Sequence, residues 1–156
     1  MEIKIRKAKK NEIEELVKLN SLFIDYHRKL DNYFRHGSEV RKSYNMYLSR
    51  IIKKRNVKIL FAEIDKKIVG YLIGEIRKAK PFLVPKRIGN ISEAFIKEEY
   101  RKEGIGSKMV ENLINWFKEN KIKNIEVSVN FNNEIGKKAW QKFGFKEFMK
   151  KMRMDL

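Results

Sequence analysis

Cysteine is absent from this 156-residue sequence, and histidine and proline occur only twice each. Without a thiol there is no disulfide, no thiolate metal site and no cysteine nucleophile. His27 and His36 are the only imidazoles, so no metal site is expected. Both prolines fall within Lys78–Gly89, which reads as a loop. No run of about 18 apolar residues exists, so no membrane span is expected. Met1–Arg6 lacks the apolar stretch of a secretory leader, and with no disulfides to form, a cytoplasmic location is expected. Acidic residues are also scarce, 20 against 37 basic ones, for a formal net charge of +17. Such a field attracts anions: a polyphosphate cofactor, a nucleic acid or an acidic protein. Lysine-rich composition also accompanies heat adaptation, so the charge has two readings. The length suits one domain over residues 1–156.

What is present is patterned. Ile3–Arg6 alternates as a first strand. Asn11 reads as a helix cap with Glu14 three residues on, and Ile13, Leu16, Val17, Leu19, Asn20 and Phe23 follow helical spacing, which predicts a helix from Glu12 toward His27. Asp31–Ser38 reads as a loop and Glu39–Lys54 as a second helix. Val57–Ile64 and Lys67–Arg77 form a hairpin about the turn Asp65-Lys66. Ile88–Lys97 is a further strand. Ile105, Met109, Leu113 and Phe117 repeat at four, the apolar stripe of a helix laid on a sheet. Ile125–Val129 reads as a parallel strand after that crossover, Asn133–Phe143 as a short helix ended by Gly144, and Phe145–Met154 as one or two last strands.

The stretch Ile91–Ser107 carries the chemistry. A strand runs into Arg101-x-x-Gly104-x-Gly106, and a helix follows. Glycines there let the backbone turn tightly and approach a ligand, and the helix start offers free N–H groups and a positive dipole end to an anion. A P-loop is excluded, because the glycines stand two apart and the order is Ser107-Lys108. A dinucleotide fingerprint is excluded, because Met109 stands at its third glycine. The R-x-x-G-x-G turn resembles the acetyl-CoA loop of the Gcn5-related N-acetyltransferase (GNAT) superfamily. Asn133-Glu-Ile-Gly-Lys-Lys-Ala-Trp-Gln-Lys-Phe-Gly-Phe145 resembles that family's second motif, N-x-x-A-x-x-x-Y-x-K-x-G-F, in the right order. The resemblance spans nearly the whole chain, the first 50 residues least.

The resemblance implies an α/β fold with a mixed central sheet, splayed central strands and flanking helices, in the order β-α-α-β-β-β-α-β-α-β. It implies an acyl-CoA-dependent N-acetyltransferase, acetyl-CoA as co-substrate, no metal, and direct transfer to a primary amine of a small molecule, peptide or protein. Ala94, Phe95 and Ile96 would pair with pantetheine, with an unpaired N–H there for a developing oxyanion. Arg101, Lys102, Glu103, Gly104, Ile105, Gly106 and Ser107 would hold the pyrophosphate. Asn133 and Trp140 would lie along the cofactor; Trp140 replaces the family's usual tyrosine acid, and indole is no useful acid. Glu93 is the candidate general base, with Asp25, Asp31 and Glu75 as alternatives. Period-two alternation puts Ile91, Glu93 and Phe95 on one face. Tyr26, His27, Asp31 and Tyr33 are the expected acceptor-side residues. A homodimer is compatible with the sequence. A basic nucleic-acid-binding module and a CoA-binding regulator without catalysis are the alternative functions.

Overall fold

The computed structural model describes all 156 residues. In chain order the elements are β1 (Ile3–Lys7), α1 (Ile13–Leu30), α2 (Arg41–Ile51), β2 (Val57–Ile64), β3 (Lys67–Lys78), β4 (Arg87–Ile96), α3 (Ile105–Glu119), β5 (Ile125–Val127) and α4 (Glu134–Lys142). The strands form one sheet in the order β1-β2-β3-β4-β5. β1 to β4 pair antiparallel, and β4 and β5 pair parallel. A parallel pair needs a crossover, which α3 supplies. Asp65 and Lys66 both have positive φ, 47° and 66°, the handedness that lets a two-residue turn follow the twist of its strands.

The sheet is covered on both faces, so β2 reads as a continuous apolar run rather than an alternating one. Val57, Ile59 and Phe61 pack with Leu16, Val17 and Leu48 of α1 and α2. Leu60, Ala62 and Ile64 pack with Ile105, Met109, Leu113 and Phe117 of α3. Helix α3 lies so close that a Cβ on Gly74 would stand 2.6 Å from Leu113 Cδ1, which accounts for a glycine inside β3.

Several expectations need correction. The stretch Phe145–Met154 forms no strand. A strand needs a partner edge, and no residue beyond Val127 enters the sheet ladder, so the order of elements ends at α4. Asn11 is not a cap. The chain enters α1 through a 3-10 turn at Lys10–Glu12, and the Lys9 N–H donates to Glu12 Oε2 at 2.8 Å. Another 3-10 turn at Gly37–Val40 precedes α2. β5 ends at Val127, short of Val129.

The correction with most consequence lies in β4. Ile73 pairs with Glu93, yet the next β3 residue, Gly74, pairs with Ile91. Ser92 is therefore an extra residue, a β-bulge. Ile91 packs in the α3 layer, while Glu93 bonds to α1. The two stand on opposite faces, and simple alternation fails because the bulge adds one residue to the count. β5 stops at the same level: it faces only Gly89, Asn90 and Ile91. From the bulge onward the β5 side of β4 is unpaired, and the two strands part.

Candidate active site

The turn between β4 and α3 is rich in unused donors. The Arg101 N–H closes a 3-10 turn onto Glu98, and the Lys108 N–H begins the helical ladder onto Gly104. Between them, no backbone N–H from Lys102 to Ser107 has a protein acceptor. Lys102 and Gly104 both take positive φ, 68° and 76°. Left-handed residues in such a turn swing successive N–H groups toward one concave side, a nest that binds anions. Gly106 has no positive φ and sits in the first turn of α3, so Lys102 and Gly104 make the turn rather than the two glycines. A Cβ at Gly104 would meet no atom within 4 Å, and one at Gly106 would touch Ile96 Cδ1 at an ordinary 3.5 Å. Protein packing thus does not require either residue to lack a side chain. Glu103 and Ser107 are exposed and Ile105 is buried beneath the turn.

Arg101 ties this turn to the end of β4. Its Nε donates to Ile96 O at 2.8 Å, and its guanidinium lies over the rings of Tyr26 and Phe95 at 5.3 and 5.7 Å. The Lys97 N–H donates to Val69 O at 2.9 Å. Polar groups of successive residues point to opposite sides of a strand, so Ala94 and Ile96 direct their N–H groups toward the edge that β5 has left. Phe95, between them, packs toward the α1 side. An extended amide ligand would find a strand edge there, leading straight into the donor-rich turn.

Glu93 lies on the same strand, buried, with 9 % exposure. Its Oε2 accepts from the Tyr71 hydroxyl at 2.6 Å and from Asn20 Nδ2 at 2.9 Å. Its Oε1 has no protein partner, and it is not sealed from solvent as Asn20 Oδ1 is. Burial pushes the Glu93 carboxyl above the ordinary carboxylate range, while the hydrogen bonds from Tyr71 and Asn20, helped by the nearby Tyr44 hydroxyl, which makes no hydrogen bond to it, pull it part of the way back. The phenols shift too: burial and the Glu93 charge raise Tyr71 far up and Tyr44 to about 12. Both therefore stay protonated beside the carboxylate, Tyr71 as its donor. A carboxyl in this state accepts a proton more readily than an exposed one.

The alternative carboxylates are engaged elsewhere. Asp25 accepts from the Gly37 N–H at 2.6 Å, Glu75 pairs with Arg77 at 2.8 Å, and Asp31 pairs with Arg153 at 3.1 Å. No three His, Asp or Glu side chains cluster as metal ligands.

Of the acceptor-side candidates, none makes a hydrogen bond with Glu93. The Tyr26 hydroxyl donates to Asn133 Oδ1 at 2.8 Å, on the Arg101 side of the gap. His27 packs against Phe23, the rings tilted by 51° with centroids 4.4 Å apart, and bonds to the Phe23 carbonyl, a packed position. Asp31 and Tyr33 meet the C-terminal segment, where Arg153 pairs with the first and lies 4.2 Å over the ring of the second. Asn133 caps α4, its Oδ1 accepting from the Gly136 N–H at 2.9 Å. A Cβ at Gly136 would stand 2.4 Å from Asn133 Nδ2, which explains glycine where the motif has alanine. Trp140 is half-buried, edge-on to Phe143 and Phe145 with centroids 5.8 and 5.4 Å apart.

The residues around Glu93 were not singled out from sequence. Asn20 carried a signal, a polar residue inside the apolar stripe of α1. Tyr71 carried none, because a tyrosine in a buried strand is ordinary.

A family model of the acetyltransferase (GNAT) family matches residues 17–145. An uncharacterized N-acetyltransferase of Archaeoglobus fulgidus is 30% identical over 131 residues, 84% of each chain. An N-alpha-acetyltransferase of Sulfurisphaera tokodaii is 26% identical over 153 residues, 94% of this chain and 81% of that one. Among solved structures, a predicted acetyltransferase from Clostridium acetobutylicum, crystallised with acetyl-CoA, superposes with a TM-score of 0.79 at 20% identity, over 99% of this chain and 96% of that one. With its Gly turn, parted strands and buried strand carboxylate, this chain belongs to the acetyltransferase (GNAT) family, whose members are acyl-CoA-dependent N-acetyltransferases.

Proposed function

We propose that this chain transfers acetyl from acetyl-CoA directly to a primary amine of a small molecule, peptide or protein, and that residues 1–156 act as one acetyltransferase domain. One observation carries the reading. A buried carboxylate with one oxygen free of protein hydrogen bonds shares a strand with the Ile96 N–H, three residues on and directed to the edge that β5 does not reach, and that strand leads into the turn of free donors. Bound acetyl-CoA supplies the activated acyl group as a thioester. The N–H groups of Lys102–Ser107 take the pyrophosphate, with charge added by Arg101 and Lys102. Ala94 and Ile96 pair with pantetheine, whereas the Phe95 backbone is turned to Tyr71 of β3 and is not available to it, and the Ile96 N–H faces the carbonyl oxygen that gains charge. Glu93 Oε1 takes the proton of the acceptor ammonium, freeing its lone pair. The new N–C bond forms as the C–S bond breaks, with no acyl-enzyme, since no thiol is present to carry one. The group that departs is a thiolate whose conjugate acid has a pKa of ~8.5, and it takes the second proton that the acylated nitrogen must lose, so no protein acid is required, which suits Trp140.

The acceptor to test first is the α-amine of a polypeptide. The Sulfurisphaera relative is an N-alpha-acetyltransferase. With a pKa near ~8, an α-amine also exposes more free base at neutral pH than a lysine at ~10.4. A polyamine brings several positive charges toward a chain of net charge +17. Thiol release from acetyl-CoA should rise on adding peptides with free N-termini and fall when those termini are blocked. CoA binding without turnover on any amine would make the chain a regulator instead.

Trp140 enters this reading as a packing residue. Trp140→Phe should keep most turnover. Trp140→Ala should lower the stability to unfolding, by less than the about 3–5 kcal/mol that a fully buried aromatic contributes. A collapse of kcat in the Phe variant, with CoA affinity intact, would give the indole N–H a chemical role.

A further inference from the structure

We infer that Asn20 of α1 is a positioning residue for the base: with the Tyr71 hydroxyl it ties down one oxygen of Glu93, so that the other is presented to the acceptor's proton. The inference rests on the reading of Glu93 as base. Asn20 Nδ2 and the Tyr71 hydroxyl both donate to Oε2, at 2.9 and 2.6 Å. Neither bonds to Oε1, which makes no hydrogen bond within the protein. A carboxylate held this way cannot rotate its two oxygens into equivalent roles, so the proton-accepting atom is specified.

The orientation of Asn20 is not what packing alone would choose. The residue is fully buried, and with Nδ2 turned to Glu93 its Oδ1 is left without a partner. A buried unpaired acceptor is destabilising. Leucine has nearly the same size and would leave no orphan in this apolar stripe. Holding the donor against Glu93 is what the asparagine provides that leucine would not.

The titratable groups facing Glu93 are Tyr71 from β3 and Tyr44 from α2, with Tyr47 of α2 also within its field. α1 contributes only the neutral Asn20. Loss of the amide donor therefore has one direction: the ionised carboxyl loses support, and its titration moves to higher pH. A charge-assisted hydrogen bond of ordinary strength corresponds to a movement of about one pH unit.

The test is the carboxyl 13C titration of Glu93 in the full chain with labelled glutamate, assigned by the resonance that Glu93→Gln removes. In Asn20→Leu the midpoint should rise by about one pH unit, with the melting temperature held or raised. The acid limb of kcat/KM should rise in step, while CoA affinity is unchanged. Asn20→Ala should move the titration in the same direction with lower stability. An unmoved midpoint in either folded variant overturns the inference, as does failure of both to fold, which would make Asn20 a packing residue. Full activity in Glu93→Gln overturns the reading of the base and the inference together. An inactive Glu93→Gln beside an unmoved Asn20 titration overturns the inference alone.

Discussion

Glu93→Gln should lower kcat/KM by about 10²–10⁴-fold, the range of a positioned general base. The substitution is nearly isosteric. The glutamine carbonyl can accept from Tyr71 and Asn20 as Oε2 does, so the fold has no reason to fail. The amide cannot take a proton, and the deficit should be deepest at low pH, where free amine is scarcest. Stability should move the other way. The folded carboxyl titrates above its unfolded value, so the folded chain binds the proton more tightly. That contribution is fully present below the unfolded pKa of ~4.3 and is lost as pH rises through the raised folded pKa. At neutral pH wild type therefore holds an ionised group in an unfavourable place, and Glu93→Gln should melt at an equal or higher temperature. The difference should shrink toward pH ~4. A wild-type rate and pH profile in the variant would assign the base elsewhere.

Gly104→Val should weaken CoA binding at least about tenfold, or about 1.4 kcal/mol. Two effects combine in that variant. Valine at φ 76° strains the backbone, and its side chain projects where no protein atom stands within 4 Å, the space that the proposed function gives to a phosphate. Gly104→Asn separates them, since asparagine tolerates the left-handed region. The Asn variant should keep the turn and still lose most of the affinity by calorimetry. Wild-type affinity in a folded Asn variant would remove the turn from the cofactor site.

The elements that carry a period were legible beforehand. The stripe from Ile105 to Phe117 and the hairpin about Asp65-Lys66 fall where the sequence puts them, because each is dictated by neighbours within a few positions. The final strand was not, since strand formation depends on a partner edge and Phe145–Met154 finds none. The donor turn was legible as a motif, but its geometry was assigned to the wrong pair: Lys102 adopts the left-handed conformation and Gly106 does not. Glu93 could be named from its place on the strand, while its surroundings could not. Asn20, Tyr44 and Tyr71 come from α1, α2 and β3, and only the folded sheet brings them to one carboxylate. His27, near the end of α1, and Asp31, in the loop after it, drew notice as polar residues on the expected acceptor side; in the fold their partners are Phe23 and Arg153.

Ser92 leaves a last consequence. On β3 the partners of Ile91 and Glu93 are consecutive residues, so Ser92 is one position more than the ladder uses. A gene lacking that single codon would encode a β4 that matches β3 residue for residue. Ile91 would still face α3, Glu93 would still face α1, and both cores would keep their side chains. What would vanish is the interruption at which β5 lets go, and the two strands would be free to zip onward over the cofactor's entrance. On the proposed function, catalytic competence would depend on counting as well as on chemistry. Every functional side chain can be present, correctly directed and well packed, and the doorway still be shut by an alignment gap of one.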